Sequence, residues 1–404
     1  KPLDAERVAL LEALGRVLAT DIAADANIPP FDNSAMDGYA VVASDTARPP
    51  VSLRVIGDAA AGQMTERAVT SGAAIRIMTG APMPPGADAV VRFEQTSEGL
   101  GAQGHGTKDR AQAQRGAVVQ VFAAVQPGDS VRRAGEDVAC GQAVLAAGVV
   151  IRPQEIGLLA ALGHASVAVH RRPRTVILAT GDELVSIHEP VTPGKIRNVN
   201  EYTMAAMVRR YGGEPICLGI ARDQLEHLKA KVNEGLAHNP DLMLTSAGVS
   251  VGDYDMVKEV LAEEGRMEFW SVAIKPGKPM AFGQARGVPL IGLPGNPVAA
   301  MVSFEQFVRP ALLKMAGRRE LRKPTIKAVA QEEILNSGRR SYVRAIVERR
   351  GRDYTVRPAG EQGSAVLVSM VKANSLLIVP EGVQRIEAGQ LVDVQMLDWN
   401  EEHF

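Results

Sequence analysis

The spacing of apolar positions changes several times along the chain, and each change marks a structural boundary. Over residues 3–18, Val8, Leu11, Leu14 and Leu18 recur at helical spacing, which predicts an amphipathic helix. Residues 28–41, IPPFDNSAMDGYAV, break that pattern: the Pro29-Pro30 pair excludes regular helix and sets the polar residues on an extended loop entering a strand. From residue 51 to residue 150, short β-type runs such as VSLRVIGDA, AAIRIMTGA, DAVVRFEQT and AVVQVFAAV are divided by Gly and Pro, predicting an all-β region or barrel. Within it, residues 97–116 have no periodicity and read as a long loop or hairpin tip. A helical pattern over residues 153–162, followed by the strand ASVAVH, looks like a return to the first element, so the β region reads as an insertion.

From Arg174 onward β and α patterns alternate. TVILAT, PICLGIA, DLMLTS, MEFWSVAI, PMAFGQ and VPLIGL read as strands, and residues 200–210, 224–236, 254–264 and 297–315 as helices. Apolar runs separated by amphipathic helices predict a mostly parallel sheet covered on both faces, a three-layer α/β domain. The basic stretch GRRELRKP after residue 316 reads as a linker. Beyond it TIKAVA, SYVRAIVE, DYTVRPA, SLLIVP and LVDVQML predict a small terminal β-barrel. The expected fold is thus multidomain, α/β plus β. Residues 1–27 and 138–172 form a split first domain, 28–137 an inserted β-rich domain, 173–316 the α/β domain and 317–404 the barrel.

Composition narrows the function. Over 404 residues, 45 Lys and Arg face 46 Asp and Glu for a net charge of −1, against a dedicated nucleic-acid binder, which needs a basic excess. The two cysteines, Cys140 and Cys217, exclude a disulfide framework or a Cys-rich zinc site. No run approaches the ~18 apolar residues of a membrane helix. Acids inside the first amphipathic pattern argue against a signal peptide, and the cytoplasm is the simplest expected compartment. The chain begins on Lys1, so its numbering is expected to start inside a longer sequence.

In an open α/β sheet, ligands bind beyond the carboxyl ends of the strands. After TVILAT come Thr180, Gly181, Asp182 and Glu183; after DLMLT come Ser246, Gly248, Ser250, Gly252, Asp253 and Asp255. KPGKP places Lys275 and Lys278 after the next strand, and PGNP places Pro294, Gly295, Asn296 and Pro297 at the start of the last helix. The Gly/Ser loop brings backbone N–H groups to an anion at a helix start, and Asn296-Pro297 fits an N-cap followed by Pro. The lysines supply point charges for an oxyanion, and the carboxylates are hard ligands suited to magnesium with substrate phosphates. Each loop alone also fits a solvated turn, and neither Gly-rich loop has P-loop or Rossmann spacing. Their coincidence at one sheet edge favours a site for a phosphorylated ligand with a divalent metal.

The series PPFDNSAMDGYAV, IRIMTGAPMPPGADAVV, RRAGEDV, ATGDEL, SAGVSVGDYDMVKEVL, IKPGKPMAFG and GLPGNPV, from residue 28 to residue 298, resembles the molybdopterin molybdenumtransferase family, the MoeA type also seen in the gephyrin E domain. The likeness continues through QGSAVLVSMVKANSLLIVP. It implies an α/β domain of the molybdopterin-binding, MogA-like kind and an elongated homodimer. The implied reaction is magnesium-dependent insertion of molybdate into adenylylated molybdopterin with loss of AMP. It also implies an active site shared between subunits, contributed by the DNSAMDGYA loop of one and the α/β domain of the other. Carried over position by position, Asp37, Thr79, Asp137, Glu183, Lys275 and Lys278 match catalytic positions, with Asp223 joining Asp182, Glu183, Asp253 and Asp255 as candidate Mg2+ ligands. Thr180, Gly181, Ser246, Gly248, Ser250, Gly252, Pro294, Gly295, Asn296 and Pro297 fall on the substrate side, with Ser364 and Arg344 at positions implicated in molybdate binding. Expected partners are the adenylyltransferase that supplies the substrate and recipient molybdoenzymes, with no nucleic acid and no membrane.

The chain departs from the family pattern at Ala247, where a glycine pair is common, and at Ala299, where some relatives carry Ser. Two alternatives stand beside this reading: a molybdopterin adenylyltransferase, whose α/β domain is similar, and a gephyrin-like scaffold. MDGYA, MTGAP and the terminal barrel distinguish the insertion enzyme from the first.

Overall fold

The structure, a computed structural model, describes residues 1–101, 117–246 and 265–398. The helix expected over 254–264 and most of the loop expected over 97–116 lie outside the described residues; Ser97–Gly101 of that loop forms a short helical turn. The chain forms two compact units. One comprises Lys1–Ala19, Gly148–Arg152 and Val167–Phe404, the other Thr20–Ala147 and Pro153–Ser166.

The smaller unit is built on a five-stranded sheet. Its strands are β1 (Gly38–Val41), β2 (Val51–Ala59), β3 (Ala73–Ile77), β4 (Ala89–Arg92) and β5 (Val118–Val121), in the order β4-β1-β3-β2-β5. Side chains on successive residues point to opposite faces. Tyr39 and Val41 therefore enter one core with Leu53, Val91 and Val121, while Ala40 enters another with Ile75, Ile77 and Val90. That two-sided burial explains why β1 is closed to solvent at every position. The helix α1 (Pro153–Ala161) belongs to the same unit.

The larger unit holds the α/β sheet. Its strands are β6 (Arg174–Thr180), β7 (Glu214–Ala221), β8 (Leu242–Ser246), β9 (Gly265–Ser271), then, after the short β10 (Ile274–Lys275), β11 (Pro279–Ala285) and β12 (Val288–Leu293). The order is β7-β6-β8-β12-β11-β9, with β7, β6, β8 and β12 mutually parallel, β11 antiparallel to β12, and β9 antiparallel to β11 at the edge. Ile177, Leu242, Leu244 and Leu293 pack beneath α2 (Asn200–Arg210) and the final helices of this domain, α4 (Pro297–Ser303) and α5 (Arg309–Met315). Val176, Leu178 and Met243 pack on the opposite face beneath α3 (Leu225–Ala237). The sheet is thereby dry on both faces, as its apolar runs predict.

The same unit ends in a closed barrel of β13 (Thr325–Ala330), β14 (Arg340–Arg350), β15 (Asp353–Pro358), β16 (Ser375–Val379) and β17 (Leu391–Met396). The ring runs β14-β15-β13-β17-β16 and closes through pairing of β16 with β14. Closure removes the free edges that a small sheet would expose. No helix among the described residues is long and apolar enough to cross a membrane.

Several elements differ from their sequence-based expectations. Residues 3–18 form no helix: Ala5–Ala9 is a strand paired with Ser166–His170, followed by a 3-10 turn at Leu10–Ala13. Leu11 and Leu14 of the expected stripe are 79% and 52% exposed, so a helix would have had little apolar face to bury. Pairing with a distant strand outweighs a marginal local helix. The long helix over 297–315 is interrupted by a π turn at Phe304–Val308. Pro310 has no N–H and its ring crowds the preceding turn, which the wider π turn relieves. MEFWSVAI is not one strand. β9 ends at Ser271, and Ile274 and Lys275 leave the α/β sheet to pair in parallel with Arg340 and Ser341 of the barrel.

Candidate active site

A cleft of about 760 Å³ opens where the carboxyl ends of the parallel strands meet the barrel. β6 delivers Thr180 and Glu183, β8 delivers Ser246, and β12 delivers Pro294, Gly295 and Asn296. The segment that crosses from the sheet to the barrel contributes Lys275 and Lys278, and the barrel side contributes Arg339, Gln362 and Ser364.

The lysine loop is fixed from both sides. Val272 donates its N–H to the Lys278 carbonyl at 2.9 Å, and the pairing of β10 with β14 holds Lys275 against the barrel. Arg339 adds a hydrogen bond to the Ile274 carbonyl at 3.3 Å. Between the lysines, Gly277 sits at φ +110, where an added Cβ would lie 2.4 Å from the Ser303 Oγ. Only glycine takes that conformation and that close approach without strain.

The helix start is clamped in the same way. Asn296 stands at the N-cap of α4 with Pro297 as the first helical residue. Its side-chain amide donates to the Ser364 Oγ at 2.9 Å, and the Val298 N–H donates to the Ser364 carbonyl at 3.1 Å. Asn200, at the start of α2, donates to the Gly295 carbonyl at 2.7 Å. The Asn200 Oδ1 and Ser246 Oγ are buried without a hydrogen-bond partner. Orphaned buried polar atoms bordering a cleft fit a polar ligand, because leaving them unpaired costs about 1–3 kcal/mol each.

The cleft includes Thr180, Glu183, Ser246, Lys275 and Lys278 of the sequence-predicted residues, and also Pro294, Gly295, Asn296 and Ser364. Pro297 follows directly. Gly181, at φ +139, lies so close to the Glu183 carboxylate that a Cβ there would stand 2.4 Å from Oε2. Asp182 and Asp223 meet beside it. The Asp182 N–H donates to Asp223 Oδ2 at 3.1 Å and the Asp223 N–H donates to Asp182 Oδ1 at 3.3 Å, leaving one oxygen of each carboxylate for another ligand. Gly248, Ser250, Gly252, Asp253 and Asp255 lie outside the described residues.

Arg344 lines a smaller cavity together with Lys275 and Gln362. It is 1% exposed and does not border the large cleft. Its guanidinium donates to the Glu361 carbonyl at 3.2 Å, the Gly363 carbonyl at 3.0 Å and the Ser369 Oγ at 3.2 Å. Burial pushes its pKa down from the ordinary arginine value. It braces the loop that presents Gln362 and Ser364.

In the smaller unit, Asp37 and Thr79 meet: Asp37 Oδ1 accepts the Thr79 N–H at 2.8 Å and the Thr79 hydroxyl at 2.7 Å. Asp137 is exposed, and its N–H donates to the Ile28 carbonyl at 3.0 Å. The sequence reading missed Arg339 and Asn200 as cleft residues. Arg339 is a single arginine in a turn before a strand, and Asn200 reads only as a helix start, so neither carries a pattern that periodicity detects.

For magnesium, the donors present suffice without a preformed cage. No group of three or more His, Cys, Asp or Glu side chains able to hold a metal occurs among the described residues. Magnesium commonly uses one or two carboxylates with waters and substrate phosphates. One or two of the Asp182, Asp223 and Glu183 carboxylates would meet that requirement.

Strand-end loops around a cationic cleft, on a three-layer α/β domain joined to a small barrel, define a binding domain for an anionic ligand. Residues 176–314 match the probable molybdopterin-binding domain, residues 1–163 the MoeA N-terminal region (domain I and II), and residues 327–397 the MoeA C-terminal region (domain IV). The chain is 37% identical to the molybdopterin molybdenumtransferase of Haemophilus influenzae, over 98% of this chain and 94% of that one. It is 38% identical to molybdopterin molybdenumtransferase 2 of Mycobacterium tuberculosis, over 96% and 94%. Among solved structures, the molybdopterin biosynthesis MoeA protein from Pyrococcus horikosii superimposes with a TM-score of 0.80 at 30% identity, covering 99% of this chain and 96% of that one. The chain belongs to the molybdopterin molybdenumtransferase family.

Proposed function

We propose that this protein inserts molybdate into adenylylated molybdopterin with release of AMP, in a magnesium-dependent last step of molybdenum cofactor biosynthesis. The observation that carries this reading is the convergence of Lys275, Lys278 and Arg339 on one cleft, framed by the sheet ends and by the barrel loop holding Ser364. Molybdate and the pterin phosphates are oxyanions, and these cations bind and orient them. Asn296 and Ser364 hold the helix start against the barrel loop, which keeps Pro294, Gly295 and Asn296 in a fixed position in the cleft. Unpaired Ser246 and Asn200 oxygens accept hydrogen bonds from the pterin or from bound water.

One or two of the Glu183, Asp182 and Asp223 carboxylates, with water and substrate oxygens, would hold magnesium. When bound, the metal neutralises charge on the AMP-bearing pyrophosphate. The reading further assigns a homodimer in which the Asp37–Thr79 pair of one subunit serves the cleft of its partner, by the family resemblance of the MDGYA and MTGAP segments. It places the protein in the cytoplasm, receiving substrate from an adenylyltransferase and handing cofactor to recipient molybdoenzymes.

The test supplies adenylylated molybdopterin, molybdate and magnesium, and follows AMP together with activation of a cofactor-free molybdoenzyme. Both signals should appear, and each should vanish when molybdate or magnesium is withheld. A second arm supplies ATP and free molybdopterin. Adenylylated product there, with silence in the first arm, would replace this reading with an adenylyltransferase. A role for the barrel argues against that outcome, because Gln362, Ser364 and Arg339 all come from beyond the α/β domain.

A further inference from the structure

A second cavity of about 230 Å³ lies in the larger unit, lined by Arg16, Arg171, Arg172, Arg209, Arg210 and Arg318. We propose that this arginine pocket is a separate binding site for a small multiply charged tetrahedral oxyanion, in the form of phosphate, pyrophosphate or a phosphate ester.

The six guanidiniums come from separate parts of the chain. Arg16 follows the N-terminal 3-10 turn, Arg171 and Arg172 precede β6, Arg209 and Arg210 close α2, and Arg318 follows α5. Basic residues at a helix C-terminus are ordinary, since they offset its partial negative charge. That accounts for Arg209 and Arg210 but not for arginines delivered from the other segments.

Counter-charges cover only half of the set. Arg171 makes a bidentate pair with Asp241 at 2.6 Å, Arg16 pairs with Glu6, and Arg210 pairs with Asp398. Asp4 adds a weaker field at Arg171. Arg172, Arg209 and Arg318 have no carboxylate partner among the described residues. Arg318 is held instead by the neutral Gly15 carbonyl at 3.0 Å, and Arg16 also reaches the His170 carbonyl at 2.8 Å. A guanidinium fixed by a carbonyl keeps its full charge and part of its donor fork for a ligand. Burial first, and then Arg309 from outside the pocket, push the Arg318 pKa down.

Size sets the ligand class. The cavity is smaller than the ~300–1,000 Å³ typical of drug-sized ligand sites, which fits a phosphate or pyrophosphate group better than a whole pterin. Planar, bidentate donors match phosphate oxygens, and arginine is the residue enriched where such recognition occurs.

The test is calorimetric titration of the full-length protein at low salt with inorganic phosphate, pyrophosphate and AMP, on the wild type, R172A/R209A and K275A. Pyrophosphate should bind a site that K275A retains and that R172A/R209A weakens about tenfold or more, the loss expected from removing charge-assisted hydrogen bonds. R172K/R209K should recover part of that affinity, which a folding defect would not do. Binding of AMP as tight as phosphate assigns the site to phosphate esters; binding of the inorganic ions alone assigns it to free oxyanion, and both support the proposal. Pyrophosphate binding unchanged in R172A/R209A, or abolished by K275A alone, would overturn it.

Discussion

Replacing Gly277 by alanine tests the idea that the lysine loop works only in one backbone conformation. The residue sits at φ +110 between Lys275 and Lys278, and the new Cβ would stand 2.4 Å from the Ser303 Oγ and 3.2 Å from the Ile274 Cδ1. A side chain in such a sparsely populated backbone region costs about 1–3 kcal/mol. Overpacking against the fully buried Ser303 adds about 1–3 kcal/mol. The sum, about 2–6 kcal/mol, is a large fraction of the ~5–15 kcal/mol that holds a typical domain together. Relief by shifting the loop would move both lysines, and a displacement near 1 Å can lower catalysis about a hundredfold. Gly287 is the control: it has φ +81 in the turn between β11 and β12, and a Cβ added there would have nothing within 4 Å. Thermal unfolding and AMP release should be measured on both variants. G277A should lose markedly more stability or activity than G287A, which should show only the modest cost of backbone strain. Equal stability losses together with wild-type kinetics in G277A would refute the reasoning.

Three further outcomes follow, the first from the proposed shared site and the other two from the geometry. Mixed dimers of D37A and K275A subunits should recover about a quarter of wild-type activity from two inactive parents, because random pairing leaves one intact shared site in half of the dimers; no recovery after subunit exchange shown by native mass spectrometry would exclude a shared site. In a double-mutant cycle on N296A and S364A, the pair should couple by about 0.5–1.5 kcal/mol in unfolding free energy, and each variant should raise the KM for molybdate. Asp32 accepts the Ala134 N–H and pairs with Arg133, which together hold its carboxyl below the usual range. The folded state therefore favours the ionised form, and the added stability is full above the unfolded value of about 3.9 and lost as pH falls through the depressed folded value. D32N should melt below the wild type at pH 7, with the gap closing in strong acid.

The site was legible in the sequence where topology alone determines location. Thr180, Ser246 and Asn296 all follow apolar runs, and parallel strands deliver such residues to one edge whatever the remaining details. What periodicity does not record is which sheet an extended segment joins. Ile274 and Lys275 continue the apolar run of β9, yet their hydrogen bonds go to the barrel, and that exchange positions the lysines. The same limit holds for side chains: nothing in the spacing around Arg344 shows that its guanidinium bonds the Glu361 and Gly363 carbonyls and braces the Gln362–Ser364 loop. The N-terminal stripe misled because helical spacing says nothing about whether an apolar face has a partner. Leu11 and Leu14 are exposed, and strand pairing with Ser166–His170 fixes the segment instead.

The most direct test of the account is a single-turnover measurement of molybdenum transferred and AMP released by the wild type and by K275A/K278A, with thermal melting as the fold control. Molybdenum incorporation and AMP release should rise together in the wild type at equal stoichiometry. Both should disappear in the double variant while its melting temperature stays near that of the wild type. Molybdenum transfer at the wild-type rate by a folded K275A/K278A protein would contradict the assignment of this cleft as the place where molybdate is inserted.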